Sequence, residues 1–477
     1  MKDMSYLAVM GRKNDIMKQA VGLDYSVFEH GKIAFDYEKM MASVGYSIED
    51  IIKIQKETKV GETPLVELKN ITALVRKYSK EGKGARIFVK DEAANASGSF
   101  KARRAAISVY HAKKMGYKGV IAATSGNYGA AVASQAAQLG LKCIIVQEVF
   151  DSKKVGQPEI LEKTRKCEAL GAEVIQLTVG PELFYTFLKL LEETGYFNAS
   201  LYTPFGIAGV ESLGYELANQ MMEMEGKYPD VVVATHAGGG NLTGTARGLN
   251  LAGAKDTKIV GASVDLSGLH MASDHAFNKK SFTTGHTGFG VPFATWPDRS
   301  DVPRNAARVL RYMDRYVTVT QGEVFYVTEA LAQVEGIERG PAGNTSLAAA
   351  ISIAKEMDKD QIIVVQETEY TGAGKHPMPQ LTFAKQNGIE VRRGNPVENI
   401  PGKNIVIPWN IGDIQSNDLD IDRLKNNFIK NAVVNNKLKE IDEEDIAYLM
   451  EEVNKDRDFV VRRLEELGVK VINKVTV

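Results

Sequence analysis

The sequence predicts an α/β chain with two open, mostly parallel sheets covered by helices, and an extension at each end. Two observations carry this. Between residues 86 and 366 short apolar runs alternate with amphipathic stretches of helical period, and the runs are apolar throughout, as strands covered on both faces are. Gly140 and Gly171 stand where helix C-caps would fall, and each is followed by a strand-like run. Strands are expected at 87–90, 119–124, 142–148, 173–178, 231–235, 259–264, 316–320 and 361–366. Helices are expected at 99–115, 127–139, 158–170, 181–194, 207–225, 241–253, 305–313, 321–335 and 344–357.

This pattern divides the chain. Residues 1–60 read as a mixed helical extension that ends in the turn Gly61-Glu-Thr-Pro64. The strand–helix units of 105–200 form a small α/β domain, and 61–104 with 201–395 complete a larger one. Pro396, Pro401 and Pro408 punctuate a linker. Charge-rich helices from 417 to 467 follow with a heptad-like apolar stripe, so 396–477 is expected as a helical extension that docks or oligomerises.

Composition narrows the function classes. The chain has 477 residues, 44% hydrophobic and 25% charged, with a net charge of −1, which points away from nucleic acid and anionic membranes as main partners. No apolar run approaches the roughly 20 residues of a membrane span, and Met-Lys-Asp-Met-Ser-Tyr6 lacks a signal-peptide core. Two cysteines, Cys143 and Cys167, suit a reducing cytoplasm and a structural role. With no CxxC, HExxH or P-loop, neither a metal site nor nucleotide hydrolysis is expected.

Four segments carry chemistry. Lys101 sits behind a Ser-Gly-Ser turn at the start of an apolar helix, a setting that desolvates an amine, lowers its pKa and makes it nucleophilic, suited to a Schiff base with pyridoxal phosphate. Thr124, Ser125, Gly126, Asn127 and Tyr128 lie where a strand meets a helix N-terminus and suit a substrate carboxylate; Asn127 also suits a phenolic ring oxygen. Gly238, Gly239, Gly240, Asn241 and Leu242 form a second strand–helix turn, a nest of N–H groups for a phosphate, spaced neither as a dinucleotide fingerprint nor as a P-loop. After a late strand, Thr368, or failing it Thr371, offers a hydroxyl to a ring nitrogen. His236, just before the nest, reads as a satisfied strand-end histidine. All four segments lie at carboxyl ends of strands, where open α/β sheets bind ligands.

Ser-Gly-Ser-Phe-Lys101, Ser-Gly-Asn127 and Gly238-Gly-Gly-Asn-Leu242, in that order, resemble the tryptophan-synthase-β-like (fold type II) pyridoxal phosphate enzymes, threonine synthases most visibly, over about 60 to 380. The resemblance implies that Lys101 carries the cofactor, Asn127 contacts its ring oxygen, 238–242 hold its phosphate and Thr368 faces its ring nitrogen. Ala102 stands where threonine synthases usually have Asp, Ala96-Ser97 replaces their Pro-Thr, and the hydroxyl segment reads Gln-Glu-Thr-Glu-Tyr370. These departures count against threonine synthase itself.

With the block Met4-Ser-Tyr-Leu-Ala-Val-Met-Gly-Arg-Lys-Asn14 and the long C-terminal extension, the whole chain resembles the β subunits of the 2-amino-4-oxopentanoate thiolases of ornithine fermentation. That likeness implies cleavage of 2-amino-4-oxopentanoate by coenzyme A to acetyl-CoA and alanine, with a small α subunit as partner. The chemistry of that cleavage makes Lys101 the expected Cα base, and a dimer of this chain is expected. Other readings are a different reaction of the same enzyme class (threonine synthesis, diaminopropionate ammonia-lyase or β-replacement) and a non-catalytic, cofactor-binding regulatory subunit.

Overall fold

The computed structural model describes residues 2–124, 126–151, 153–266, 281–283, 294–296, 301–370 and 377–472. The N-terminal extension holds α1 (Tyr6–Gly11), α2 (Lys13–Val21), α3 (Tyr37–Ala42) and α4 (Ile48–Glu57). Ser47 and Asp50 cap α4 reciprocally, so its start is written locally in the sequence. Then come β1 (Leu65–Glu67), α5 (Lys69–Lys77), β2 (Arg86–Asp91) and α6 (Lys101–Lys114). A compact run follows: β3 (Gly119–Thr124), α7 (Asn127–Leu139), β4 (Lys142–Phe150), α8 (Pro158–Ala169), β5 (Glu173–Thr178), α9 (Glu182–Thr194) and β6 (Phe197–Asn198). The chain continues through α10 (Pro204–Glu225), β7 (Val231–Thr235), α11 (Gly240–Leu251), β8 (Lys258–Val264), β9 (Arg315–Val319), α12 (Gln321–Glu335), α13 (Pro341–Ala354), β10 (Ile362–Glu367) and α14 (Pro377–Gln386). The C-terminal part comprises β11 (Glu390–Arg393), β12 (Asn404–Ile407), β13 (Asn417–Asp418), α15 (Ile421–Asn435), β14 (Glu440–Ile441), α16 (Glu443–Val453), α17 (Arg457–Glu466) and β15 (Lys470–Val471).

Two sheets carry the body. One runs β5-β4-β3-β6, parallel throughout. The other runs β1-β2-β10-β7-β8-β9-β13, parallel except for its edge strands β1 and β13. Every residue of β3 and β10 is buried, which explains their unbroken apolar pattern. On β10 the period of two divides the cores: Ile362 and Val364 face one cluster, Ile363 and Val365 the other. Helices α10 and α11 approach to backbone contact, since a Cβ on Gly214 would strike the Thr245 carbonyl and one on Gly248 the Glu211 carbonyl.

Two expectations need correction. The helix expected at 305–313 is a single 3₁₀ turn at Val309–Arg311. Side chain–backbone bonds explain it: Asn305 Oδ1 accepts from Ala307 N–H at 2.7 Å and Arg308 Nε donates to the Asn305 carbonyl, holding the segment in a turn. The proline-punctuated linker contains a strand, β12, that pairs in parallel with β11 just before the linker, and its Ile405 packs with Phe282 and Phe325. Pro396 lies in the turn between those short strands, where a proline removes no ladder bond. The stretch 417–467 holds three helices, α15 to α17, and β14 of that stretch pairs with β15 just beyond it.

The two extensions dock on each other and on the body. The fully buried Asp445 of α16 accepts from the N–H groups of Ile33 (2.9 Å) and Ala34 (3.0 Å). Glu452 pairs with Arg308 at 2.7 Å, both side chains about 1% exposed, and with Arg311 at 2.9 Å. Tyr37 of α3 donates to the Ala306 carbonyl at 2.8 Å beside the same arginines. Breaking such a buried pair leaves an uncompensated charge at a cost of about 3–5 kcal/mol. Glu452→Leu, which strips Arg308 and Arg311 of their shared carboxylate, is expected to lower stability by that order in urea unfolding, and Arg308→Met, which leaves Glu452 paired with Arg311, to lower it less; equal losses in the two variants would contradict the arrangement.

Candidate active site

Lys101 is the first residue of α6, and the turn before it is tied to the exit of β10. Phe100 N–H donates to the Thr368 carbonyl at 3.0 Å, and Tyr370 N–H to the Gly98 carbonyl at 2.8 Å. Gly98 adopts φ +75°, the left-handed turn that a side chain would strain. The Ser97 and Ser99 hydroxyls are buried without a hydrogen-bond partner among the described residues. Two residues on, the fully buried Arg103 grips Glu92 with Nε at 2.7 Å and Nη2 at 2.8 Å, and reaches Glu216 at 3.2 Å. Burial alone would raise the Glu92 carboxyl; Arg103 and Lys90 outweigh it and hold the group below its ordinary range. Lys90 Nζ, itself fully buried, bonds Glu216 at 2.5 Å and the Thr63 carbonyl at 2.6 Å. Part of the Lys101 side chain remains accessible, while its amine is desolvated. That burial, with Lys163 and Arg104 nearby, brings the amine down to about 7 against the opposing pull of Glu369 and Glu159.

The second expected segment lies at the junction of β3 and α7. Thr124 Oγ1 accepts from Gly126 N–H at 3.1 Å, shaping the turn. Ser125 lies outside the described residues. Asn127 opens α7, so the first N–H groups of the helix lack intrahelical acceptors. Its Nδ2 donates to Glu369 Oε2 at 3.2 Å, joining the carboxyl end of β3 in one sheet to that of β10 in the other. The Tyr128 ring points into the core, where its hydroxyl bonds the Ala199 carbonyl at 2.6 Å, leaving its backbone to the turn.

The glycine nest lies between β7 and α11. A Cβ on Gly238 would collide with the Tyr202 hydroxyl, and one on Gly240 with the Arg104 guanidinium. Gly239 has φ +82°. Asn241 Nδ2 and Arg104 Nε are buried donors without a partner among the described residues. Leu242 is buried in the core and anchors the first turn. His236 differs from its expected satisfied state: it is buried, packs edge-on against Tyr316 with ring centroids 4.8 Å apart, and neither ring nitrogen has a hydrogen-bond partner among the described residues. Burial drops it to about 4, so the ring is neutral at pH 7.

At the exit of β10, Thr368 is buried with its carbonyl engaged by Phe100; Thr371 lies outside the described residues. Glu367 is fully buried below α13, and burial, then Glu369 and Asp91, push its carboxyl well above the ordinary range. Burial also pushes the thiols of Cys143 and Cys167 up to about 12, which makes both inert.

The structure brings in residues that sequence reasoning did not single out. Arg104 sits three residues after Lys101, a spacing that puts both on one face of α6 and was available as a signal. Glu369 stood inside the quoted hydroxyl segment, its role hidden because its partner Asn127 is 242 residues away. Glu159 and Lys163 form a buried ion pair on α8; in sequence the spacing reads as an exposed helix pair.

A phosphate-bearing aldehyde fits this arrangement. The orphaned donors of Arg104 and Asn241 and the side-chain-free nest await an anion, and a desolvated amine with a pKa near 7 suits a carbonyl. The family model "pyridoxal-phosphate dependent enzyme" matches residues 56–369. A 2-amino-4-ketopentanoate thiolase beta subunit from Acetoanaerobium sticklandii is 69% identical over 98% of this chain and 99% of its own length. A threonine synthase from a Bacillus species is 26% identical over 61% of this chain and 76% of its own. Among solved structures, a threonine deaminase from T.th. superposes with a TM-score of 0.52 at 26% identity, covering 68% of this chain and 98% of that one. The chain therefore belongs to the pyridoxal-phosphate-dependent enzymes and, within them, to the 2-amino-4-ketopentanoate thiolase β subunits.

Proposed function

We propose that the chain cleaves 2-amino-4-oxopentanoate with coenzyme A to acetyl-CoA and alanine, using pyridoxal phosphate held at Lys101 and working in the cytoplasm with a small α subunit and a second copy of itself. The observation that carries this reading is a desolvated amine together with two helix N-termini of the kind that suit anions, α7 and α11, in a chain 69% identical to a named thiolase β subunit over nearly its whole length.

In this reading Gly238 to Leu242 and Arg104 bind the cofactor phosphate through backbone N–H groups and the guanidinium. Asn127 is aligned by Glu369 to donate to the ring oxygen, and Thr368 faces the ring nitrogen. Thr124, Ser125 and Gly126, with the backbone of Asn127 and Tyr128, receive the substrate carboxylate. The bound cofactor supplies an electron sink that acidifies the Cα–H bond. Lys101 would hold its amine at Cα of the bound substrate and remove that proton. With the Cα electron pair drawn into that sink, the charge left on C3 when the thiol has attacked C4 and the C3–C4 bond opens would be conjugated with it, and Lys101 would return the proton to Cα as alanine forms. The neutral thiols of Cys143 and Cys167 stay out of the chemistry.

Incubating the complex of both subunits with 2-amino-4-oxopentanoate and coenzyme A is expected to give acetyl-CoA and alanine in equal amounts. Ammonia or threonine without acetyl-CoA would overturn the reading, and so would cofactor binding with no turnover.

The Lys101 amine gives a pH dependence. A lysine whose pKa is lowered to about 7 is the free, nucleophilic base above that pH. Uptake of pyridoxal phosphate by the apo-chain should therefore quicken about tenfold per unit below pH 7 and level off above it. A rate still climbing near pH 10, as an unperturbed lysine would give, contradicts it.

A further inference from the structure

We propose that Glu159 and Lys163 of α8 form a second acid–base unit of this site, acting at C3 and C4 of the substrate while Lys101 acts at Cα. The inference rests on the proposed function and deepens it.

Both side chains are buried, 4% and 7% exposed, and paired one turn apart. A buried ion pair contributes little net stability, because desolvating two charges offsets most of their attraction. Only one Glu159 oxygen is engaged; Oε2 is buried with no partner among the described residues. Lys163 lies against the loop expected to take the carboxylate: a Cβ on Gly126 would stand 2.9 Å from its Cδ and 3.6 Å from its Nζ. The pair is coupled electrostatically to Lys101 and Glu369. The substrate's C4 is only two bonds beyond Cα, so a molecule with its carboxylate at Gly126 and its Cα at Lys101 brings its ketone to this pair. Burial would lower Lys163, but Glu159 and Glu369 outweigh it and keep the ammonium charged. Burial raises Glu159 despite Lys163, which makes its carboxylate a stronger base than an ordinary one.

The step balances. The sulfur of coenzyme A bonds to C4, its proton passes to Glu159 Oε2, and the C4=O pair moves onto oxygen, which accepts a hydrogen bond from the Lys163 ammonium. When the carbonyl reforms, the C3–C4 bond breaks, the acetyl group leaves as the thioester and the electron pair stays on C3. The proton on Glu159 then returns to C3. Sulfur ends in acetyl-CoA, hydrogen in the methyl group of alanine, and no oxidant or reductant is used.

The test separates Cα chemistry from C4 chemistry. For Lys163→Met in the two-subunit holoenzyme, acetyl-CoA formation is expected to fall at least about 100-fold, the loss typical of one oxyanion donor. Exchange of the alanine Cα hydrogen in D₂O, followed by NMR, should fall less than about threefold on the same scale. A second readout is the apo-chain: removing this positive neighbour should raise the pH midpoint of cofactor uptake at Lys101. Loss of both reactions together, retention of both, or an unmoved midpoint would each overturn the proposal. Should Lys163→Met not fold, Glu159→Gln decides by the same split, thiolysis lost and exchange kept. Wild-type enzyme that forms no acetyl-CoA would instead refute the underlying function, so the two failures are distinguishable.

Discussion

The grip of the Arg103 guanidinium on the Glu92 carboxylate is the constraint on which the site depends. Both side chains are fully buried, and two parallel N–H donors join them at 2.7 and 2.8 Å. Such a fork fixes orientation as well as distance. Glu92 follows β2, Arg103 lies two residues into α6, and Glu216 on α10 completes the contact. Gln55 of α4 extends the network by donating to the carbonyls of Arg103 (3.1 Å) and Gly209 (2.7 Å). The first turn of α6 is thus held from three sides, and Lys101 inherits a fixed position from a helix start that has no side-chain cap of its own. Reactive groups gain from such rigidity, because a nucleophile displaced by an ångström loses much of its effect.

Around that fixed point the two sheets bring their carboxyl ends together. Asn127 after β3 and Glu369 after β10 meet across them, and the Ser97–Ser99 turn is stitched to residues 368–370 by backbone hydrogen bonds. The site is electrostatically mixed: Lys101 and Lys163 feel the carboxyls of Glu159 and Glu369, and Arg104 stands near Lys101. Burial, with Lys163 and Arg104, lowers Lys101, while Glu159 and Glu369 keep Lys163 charged, so environment alone sets the two amines apart. The N- and C-terminal extensions join through Asp445 and Glu452, against the segment that follows β8 and precedes β9, so they brace the larger sheet from outside.

Much of this architecture was legible in the residues. Strands 119–124, 173–178 and 231–235 and helices 127–139 and 321–335 fall where pattern places them, because apolar continuity and caps such as Thr320 with Glu323 are local signals. The Lys101 turn and the glycine nest were legible for the same reason. The helix expected at 305–313 was not realised, because Asn305 and Arg308 direct their hydrogen bonds to the local backbone. The pair β11–β12 was hidden by flanking prolines and by contacts with Phe282 and Phe325, distant in sequence. At the site, Glu369 and the Glu159–Lys163 pair escaped notice because burial, not residue type, gives them meaning. A charge pair one helical turn apart looks alike whether it faces solvent or an active site.

The central claim is that this framework makes Lys101, alone among the lysines of the chain, the holder of the cofactor. The most direct measurement is borohydride reduction of the holoenzyme, which fixes pyridoxal phosphate to whichever amine holds it, followed by peptide mass spectrometry. The account predicts one label per chain, on Lys101, in wild type and none after Lys101→Ala. A label on Lys163 or any other lysine, or labelling that survives Lys101→Ala at full yield, would contradict it.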